Sequence, residues 1–309
     1  MIVVLAGGVG AARFLQGVVQ VVPQERITAI VNTGDDRDFY GLHVSPDLDI
    51  VMYTLAGIVE ETHGWGFHND TYNTMQQLTR YGNEDWFKLG DRDLATHVHR
   101  TNLLRQGKTL SEVTEDLRKH FGLAMRILPM TNQPVATHIQ TPVGLLHFQE
   151  YMVKRHCVDE VQDVVFVGAN ESQPAPGVLD TIKEAEAILI APSNPIVSIG
   201  SILAVPGIHD ALHEASGMVV AVSPIVGGTP IKGPADKLMN GLNMEVSAVG
   251  VARYYRDFLD VMVVDKQDEH LLNKIEDLGI PAVATNTIMR DSVAKKALAL
   301  KVLEAAGLE

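Results

Sequence analysis

The stretch that constrains the fold most lies at the start of the sequence. An apolar run, I-V-V-L-A, leads into Gly7-Gly8-Val9-Gly10 and then into a segment with helical spacing. A strand, a glycine-rich turn and a helix in this order form a cradle for phosphate, because the glycines allow close backbone approach and the helix N-terminus presents free N–H groups. Arg13 stands where a dinucleotide fingerprint has its third glycine. The turn therefore predicts a nucleotide phosphate site rather than an NAD redox site, with a purely structural turn as the alternative.

The end of the second predicted strand supports this interpretation. An NAD site places an acidic residue there to bind a ribose hydroxyl, whereas this chain has Asn32 and Thr33. Arg13 falls in the first helical turn, where its guanidinium could form a forked contact with a phosphate. The nucleotide- and diphosphate-binding residues predicted around the first two strands are Gly7, Gly8, Gly10, Arg13, Asn32 and Thr33.

Short apolar segments alternate with amphipathic ones over most of the 309 residues. The predicted strands are Ile2–Leu5, Ile27–Val31, Val164–Val167, Ala187–Ile190, Met218–Val222, Val261–Val264 and Ala282–Ala284. Their largely continuous apolar character is typical of a parallel sheet covered on both faces. The pattern predicts an α/β fold, a doubly wound, Rossmann-like and mostly parallel sheet formed by residues 1–46 and 131–309. Residues 47–130 have helical periodicity and are predicted to be a mainly helical insertion over the carboxyl edge of that sheet.

Composition excludes several classes of function. The net charge of -13 leaves no basic stripe for nucleic acid. No apolar run is long enough for a membrane span, and the N-terminus lacks the features of a signal peptide, so we expect a cytoplasmic protein without a membrane partner. The single cysteine, Cys157, excludes an intrachain disulfide framework. An acidic protein that binds an anionic substrate needs local cations or a metal ion.

Five aspartates follow the second predicted strand within fifteen residues. In a doubly wound sheet this loop lies at the carboxyl edge, beside the glycine turn, where ligands bind. Carboxylates next to a diphosphate are suitable ligands for Mg²⁺, although aspartate also favours loops and helix caps for structural reasons. We expect Asp35 or Asp36, together with Asp47 or Asp49, to bind the metal or the substrate, and we consider Asp38 structural.

The segment Trp86-Phe87-Lys88 contains another candidate site. Aromatic rings beside a lysine suit a flat, partly polar ligand. An equally good interpretation is a helix N-terminus capped by Asp91 or Asp93, with the rings in the core. His97 and His99 lie two residues apart and so on different helix faces, which argues against a metal site made by this pair.

Two later turns repeat the pattern of the first. A-P-S-N-P-I-V-S and S-P-I-V-G-G each follow a predicted strand and carry hydroxyl and amide groups at the carboxyl edge. The residues predicted to bind the nucleotide or diphosphate in these turns are Ser193, Asn194, Ser198, Ser223 and Gly227.

Seven motifs occur in a fixed order along the chain: G-G-V-G-A-A-R, N-T-G-D-D, S-P-D-L-D, W-F-K-L-G-D-R-D-L-A-T-H, H-F-Q-E-Y, A-P-S-N-P and S-P-I-V-G-G. Together they resemble the 2-phospho-L-lactate transferase (CofD) family of coenzyme F-420 biosynthesis. Ile50 departs from this resemblance in a minor way, since threonine is common after that aspartate.

The resemblance implies a Mg-dependent reaction in the cytoplasm. A guanosine diphospho-donor, lactyl-2-diphospho-5′-guanosine, would transfer its phospholactyl group to the ribityl hydroxyl of a deazaflavin acceptor, 7,8-didemethyl-8-hydroxy-5-deazariboflavin, and release GMP. Asp49 and Lys88 would contact the deazaflavin, and Trp86 would extend that pocket. Asp49 and Arg13 are the predicted catalytic residues, and Asp35, Asp36 and Asp47 are the predicted metal ligands. The resemblance also implies a homodimer.

Other functions remain open from the sequence. A related transferase could use another nucleoside diphosphate, and a non-catalytic nucleotide-sugar-binding regulator of the same superfamily could share the fold. The W-F-K-L-G-D-R-D segment favours the transferase, because such a regulator needs no pocket for a flat acceptor. The residues do not distinguish a lactyl donor from an enolpyruvyl donor.

Overall fold

The computed structural model describes residues 1–62 and 64–308. Its strands are β1 (Ile2–Ala6), β2 (Ile27–Val31), β3 (Arg37–Phe39), β4 (Leu42–Val44), β5 (Arg126–Pro129), β6 (Ala136–Thr141), β7 (Gly144–His147), β8 (Asp163–Val167), β9 (Ala187–Ile190), β10 (Met218–Val222), β11 (Ile225–Val226), β12 (Thr229–Pro230), β13 (Val261–Asp265) and β14 (Ala282–Thr285). Its α-helices are α1 (Gly8–Val18), α2 (Pro46–Leu55), α3 (Asn73–Arg80), α4 (Asp91–Arg105), α5 (Leu110–His120), α6 (Val178–Lys183), α7 (Ser201–Leu203), α8 (Ile208–His213), α9 (Ala235–Gly241), α10 (Ala248–Tyr254), α11 (Leu272–Glu276) and α12 (Ser292–Ala305).

The centre of the fold is a seven-stranded sheet in the order β14-β13-β10-β9-β1-β2-β5. Every neighbouring pair in it is parallel. Successive side chains of β1 enter different cores, with Val3 and Leu5 on one face and Ile2, Val4 and Ala6 on the other. A strand buried on both faces has no polar positions, which accounts for its unbroken apolar sequence. The predicted α/β fold class is therefore confirmed.

Helices cover both faces of the sheet. Side chains from α1, α2, α5 and α12 share one core with the sheet, and side chains from α6, α8, α9, α10 and α11 share the other. The carboxyl ends of all seven strands meet at one edge. The chain leaves β1 toward β2 on one side and later fills the other side with β9, so the topological switch point lies between β1 and β9.

One predicted strand belongs to a different sheet. Residues Val164–Val167 lie in β8, which pairs antiparallel with β6 in a separate three-stranded sheet of order β7-β6-β8. Burial alternates along β8, as expected for a strand that is covered on one face. β6 and β7 form an antiparallel hairpin in this sheet.

The interval 47–130 combines core elements with a smaller helical layer. Its first helix, α2, shares the core of α1, and its last strand, β5, is the edge strand of the parallel sheet. Between them, α3 and α4 pack with the β3–β4 hairpin around a third, smaller core. The domain boundaries at 47 and 130 remain predictions. Among the described residues, no helix combines the length and apolar character that crossing a bilayer would require.

Candidate active site

The glycine turn lies at the switch point and touches the turn that follows β9. The Gly7 N–H donates to Ser193 Oγ at 3.3 Å, and the Ser193 hydroxyl donates to the Gly7 carbonyl at 2.9 Å. A Cβ on Gly10 would clash with the Pro192 carbonyl oxygen, and one on Gly7 would lie 2.6 Å from Ser198 Cβ. Glycine is required here because two backbone turns meet with no room for a side chain. The structure thus brings Gly7, Gly10, Ser193 and Ser198 together.

Asp47 lies over the N-terminus of α1. It accepts a hydrogen bond from Asn32 Nδ2 at 2.9 Å and one from the backbone N–H of Gly8. Burial is the main reason why the pKa of Asp47 is raised to about 7. A buried carboxylate at a helix N-terminus is partly stabilised by the helix dipole. Asp47 therefore connects Asn32, in the loop after β2, to the glycine turn.

Asn32 connects several elements of this edge. Its side-chain carbonyl accepts hydrogen bonds from the Gly34 N–H at 2.7 Å and from the Ser201 hydroxyl, while its amide donates to Asp47. The side chain is completely buried. Asn32 thus fixes the loop after β2 in place. Its predicted contact with the nucleotide remains a prediction.

The loop after β2 contains buried oxygens without a hydrogen-bond partner. Within the described residues these atoms are Thr33 Oγ1, Asp35 Oδ1 and Asp36 Oδ1, together with Thr137 Oγ1 from β6. The pKa of Asp35 lies well above its usual range, because the carboxyl is buried and Asp47 and Asp36 add like charge. Buried oxygens left unpaired are costly. A hard cation would satisfy them, so the residues fit the Mg²⁺ that the sequence predicts.

The other oxygens of this loop are held by the protein. Asp35 Oδ2 accepts from Gln149 Nε2 at 3.4 Å, and Asp36 Oδ2 accepts from the Ser45 hydroxyl at 2.7 Å. In the described part of the chain, the loop does not bring three acidic groups within 4.8 Å of one another. A cation bound here would therefore take its remaining ligands from substrate and water, as Mg²⁺ commonly does.

Asp49 lies inside a buried polar network. Both of its carboxylate oxygens accept hydrogen bonds from the Arg100 guanidinium, one of them at 3.1 Å. The same guanidinium donates to His97 Nδ1 at 3.1 Å, and His97 Nε2 lies 3.2 Å from Asp93 Oδ1. Tyr53 donates to that Asp93 oxygen at 2.8 Å. Burial raises the pKa of Asp49, although Arg100 opposes the rise. Its role toward an acceptor remains a prediction.

Trp86 and Lys88 lie on the helical layer. Phe87 stacks on Phe39 at 3.8 Å between ring centroids, and Trp86 meets Phe39 edge-on at 5.3 Å. The Arg37 guanidinium lies 5.5 Å from the Trp86 ring centroid. Lys88 is exposed. Phe39 and Leu89 are buried in the third core, so the aromatic side chains have a structural role here. The predicted acceptor contacts of Trp86 and Lys88 remain untested.

Arg13, in the first turns of α1, lies close to two other cations, Lys232 and Lys295. Among the described residues, no hydrogen bond or ion pair engages its half-buried side chain. Burial, together with the charge of Arg13, lowers the pKa of Lys232 and of Lys295. The local positive charge that an acidic protein needs for an anionic substrate is therefore present at this edge of the sheet.

The remaining predicted residues are engaged within the protein. Asn194 Oδ1 caps the helical turn Pro195–Gly200 by accepting from the Ile196 N–H at 3.0 Å. The Ser223 hydroxyl donates to the Ile225 carbonyl at 2.9 Å, and the Gly227 N–H donates to Asp268 at 2.9 Å. These residues follow β9 and β10, which lie in succession on one side of β1. A ligand contact from them is still a prediction.

Comparison with known proteins identifies the family. A family model described as 2-phospho-L-lactate transferase CofD matches residues 2–306. The chain belongs to the CofD family. It is 46% identical to a phosphoenolpyruvate transferase of Kitasatospora aureofaciens over 97% of both chains. It is 41% identical to a 2-phospho-L-lactate transferase of Methanosarcina mazei, with 98% of this chain and 99% of the relative covered.

A solved structure supports the fold of this CofD-family chain. A Bacillus halodurans protein of the UPF0052 family aligns with a TM-score of 0.66 over 98% of each chain at 16% identity. That identity supports the fold alone. The α/β architecture is therefore shared, while the site rests on this chain's own residues.

Several residues at the candidate site of this CofD-family chain were not predicted from the sequence. Arg100 is separated from Asp49 by 51 positions, and nothing in the sequence pairs them. Thr137 and Gln149 reach the acidic loop from the antiparallel sheet and the segment that follows it. Lys232 could have been predicted from the sequence. It is a lysine in a glycine- and proline-rich stretch, T-P-I-K-G-P-A, that follows the turn after β10. His97, which received no role, is a buried member of the Asp49 network.

Proposed function

We propose that this chain transfers the 2-phospholactyl group of lactyl-2-diphospho-5′-guanosine to the ribityl hydroxyl of 7,8-didemethyl-8-hydroxy-5-deazariboflavin. The products would be the coenzyme F-420 precursor F-420-0 and GMP. The observation that carries the proposal is the set of unpaired buried oxygens beside the glycine turn, in a chain of the CofD family. The family resemblance further leads us to propose a homodimer in the cytoplasm.

The donor would bind with its diphosphate at the N-terminus of α1. Free backbone N–H groups and the helix dipole favour anionic oxygens at that point. Arg13 would form a forked contact with a phosphate, and Lys232 would add positive charge around it. These cations would hold the diphosphate in line with the acceptor, which is the main contribution a protein makes to phosphoryl transfer.

Asp35 and Asp36 would hold Mg²⁺, which when bound neutralises charge on the diphosphate during transfer, and Asp47 would lie on the phosphate side of this ion. Asn32 keeps Asp47 oriented toward the glycine turn. Asp35 and Asp36 each offer an oxygen that no protein donor occupies. We therefore propose these two oxygens as protein ligands, with Asp47 beside the phosphates.

In the reaction, the ribityl oxygen would form a new bond to the phosphorus that carries the lactyl group. The bond from that phosphorus to the bridging oxygen would break, and GMP would leave with that oxygen. The hydroxyl proton would pass to Asp49 or to solvent. Each Asp49 oxygen has a second lone pair beyond its contact with Arg100, so Asp49 could orient the hydroxyl while remaining paired.

The deazaflavin ring would lie against Trp86, with Lys88 contacting its polar edge. Trp86 is half-buried and its indole N–H donates to Glu84 at 2.8 Å, which fixes the ring plane. A fixed aromatic surface beside a cation suits a flat ligand with carbonyl groups. The exposure of Lys88 leaves it able to make such a contact.

Enolpyruvyl transfer is the second candidate. It is favoured by relatives named phosphoenolpyruvate transferase, which are 46% and 47% identical to this chain. The two donors differ only in the three-carbon acid, so the diphosphate chemistry would be the same.

The decisive experiment supplies the purified protein with the deazaflavin, Mg²⁺ and each guanosine diphospho-donor in turn. We expect GMP release and a product whose mass identifies the transferred acid. GDP binding without GMP release from either donor would instead indicate the non-catalytic regulator. GMP release without deazaflavin would indicate hydrolysis and contradict the proposed acceptor.

Two glycines on α1 offer a matched test of the phosphate site. Gly10→Ala places a Cβ against the backbone carbonyl of Pro192, and Gly17→Ala places one against the backbone carbonyl of Lys295. Both should lower the free energy of unfolding by about 1–3 kcal/mol, because backbone has to move. Only Gly10 lies beside the diphosphate, since the two positions are about 10 Å apart along the helix at ~1.5 Å per residue.

We therefore expect Gly10→Ala to weaken GDP binding about tenfold or more. This is the loss in affinity that corresponds to one charge-assisted hydrogen bond. Gly17→Ala should leave GDP affinity within about twofold of that of the unmodified protein. Calorimetry with GDP and Mg²⁺, below the unfolding temperature of both variants, measures the difference. Equal affinities in the two variants would move the phosphate site away from this turn.

A further inference from the structure

A second cluster of potential metal ligands lies on the outer surface of the helical layer. It consists of His99 on α4 and of Asp116 and His120 on α5. His99 Nε2 lies 2.7 Å from Asp116 Oδ2, and His120 Nδ1 lies 3.5 Å from the same oxygen. One ligand atom from each residue lies within 4.8 Å of the other two. The cluster is not part of the site described above.

The helices place these three side chains by ordinary geometry. Asp116 and His120 are four residues apart on α5, so they share a helix face. His99 projects from the neighbouring helix, and its ring meets that of His120 edge-on at 5.9 Å between centroids. His97, two residues earlier, faces the interior. The sequence expectation that His97 and His99 do not form one site agrees with this arrangement, but it missed the partner of His99 on α5.

The spacing suits a small tetrahedral ion. Bonds of about 2.0 Å from a metal to nitrogen or oxygen place neighbouring ligands about 3.3 Å apart in a tetrahedron. The two distances to Asp116 Oδ2 bracket this value, one being shorter and the other longer. His120 Nδ1 also donates to the Asp116 backbone carbonyl at 2.9 Å, so an ion has to displace this hydrogen bond before side-chain rotations bring all three ligands to it.

The donor set defines the chemical class of that ion. Two imidazoles and one carboxylate suit zinc and related first-row transition metals, whereas Mg²⁺ prefers oxygen ligands alone. The His120 side chain is 70% exposed, so water can reach the fourth position.

We propose that His99, Asp116 and His120 bind one zinc-type transition-metal ion, with water as the fourth ligand, and that this ion links α4 to α5. The next residue on α4, Arg100, faces the interior and holds Asp49. An ion on the outer face would thus stabilise the helix that supports the buried network. The proposal does not depend on the transferase reaction.

The test is a titration of untagged protein with Zn²⁺ in the presence of millimolar Mg²⁺, which occupies the oxygen-rich site. We expect one high-affinity Zn²⁺ per chain and a Tm that rises with Zn²⁺ concentration. The double variant His99→Ala/His120→Ala should bind Zn²⁺ at least about 100-fold more weakly, since changes around a metal typically cost roughly 10- to 100-fold each. Its Tm should no longer respond to Zn²⁺.

A second double variant, His68→Ala/His213→Ala, controls for the loss of surface histidines. Both residues are on the surface, and each contacts a partner outside the cluster, Glu60 or the Asp257 carbonyl. This variant should bind Zn²⁺ as the unmodified protein does. Unchanged Zn²⁺ affinity in His99→Ala/His120→Ala, with its fold intact by circular dichroism, would overturn the proposal.

Discussion

Replacing Arg100 with methionine should lower the free energy of unfolding by about 3–5 kcal/mol. Arg100 is 1% exposed and holds both oxygens of the similarly buried Asp49. Methionine fills part of the same volume but removes the guanidinium that pairs with this carboxylate. An unpaired charge in the interior carries its full desolvation penalty. Urea unfolding of the two proteins measures the difference.

Two further variants distinguish the cost of an unpaired buried charge from the cost of losing any ion pair. Arg26→Met removes an exposed pair with Glu186, at 2.8 Å, and should cost less than about 1 kcal/mol. Asp49→Asn combined with Arg100→Met removes the charge that was left unpaired, so the double variant should recover at least about 1 kcal/mol relative to Arg100→Met. If Arg100→Met were as mild as Arg26→Met, the buried pair would not exist in solution.

Removing divalent metal should reduce turnover at least about 100-fold, and added Mg²⁺ should restore it. The reason is the acidic loop after β2, where Asp35 and Asp36 each keep one buried oxygen without a donor. Without a cation these carboxylates repel both each other and an incoming diphosphate. GMP release after treatment with a chelator, followed by addition of Mg²⁺, measures the effect.

Asp35→Asn should reproduce that loss of turnover while making the metal-free protein more stable. The amide is nearly the same size as the carboxyl and removes a buried charge that no cation pairs. Asp38→Asn is the matched control, since Asp38 lies close by in the chain with its side chain 73% exposed. It should keep both activity and stability. A loss of turnover in Asp38→Asn equal to that in Asp35→Asn would remove the metal role from the buried aspartates.

The parallel sheet was predictable because a strand that is buried on both faces has a continuous apolar sequence. Five buried residues in a row, as in β1 and β2, are typical of a strand in the middle of a covered sheet. β5 could not be predicted in this way. Its apolar run is only Ile127 and Leu128, which lie between an exposed arginine and a proline. The run Val164–Val167 was correctly predicted as a strand but assigned to the wrong sheet. Only its pairing with β6, which the residues alone do not reveal, places it in the antiparallel sheet.

Part of the candidate site could likewise be predicted from the sequence, and part could not. Groups at the ends of neighbouring parallel strands must meet at one edge, so the proximity of Asn32, Asp47 and Gly7 followed from topology. The Arg100–Asp49 pair did not follow, because it depends on how α4 packs across α2. Side-chain partners across two packed helices have no counterpart in local periodicity.

The position of β1 in the sheet has a consequence for synthesis on the ribosome. β2, one of its neighbours, ends at residue 31, whereas the other, β9, begins at residue 187. At about 5–20 residues per second, the nascent β1 waits on the order of 10–30 seconds with the backbone N–H and C=O groups of one edge unpaired. An uncovered strand edge is a template for association with other chains. The segment that contains the glycine turn is thus synthesised first and paired on both sides only late, and we expect nascent-chain chaperones to protect it in the meantime.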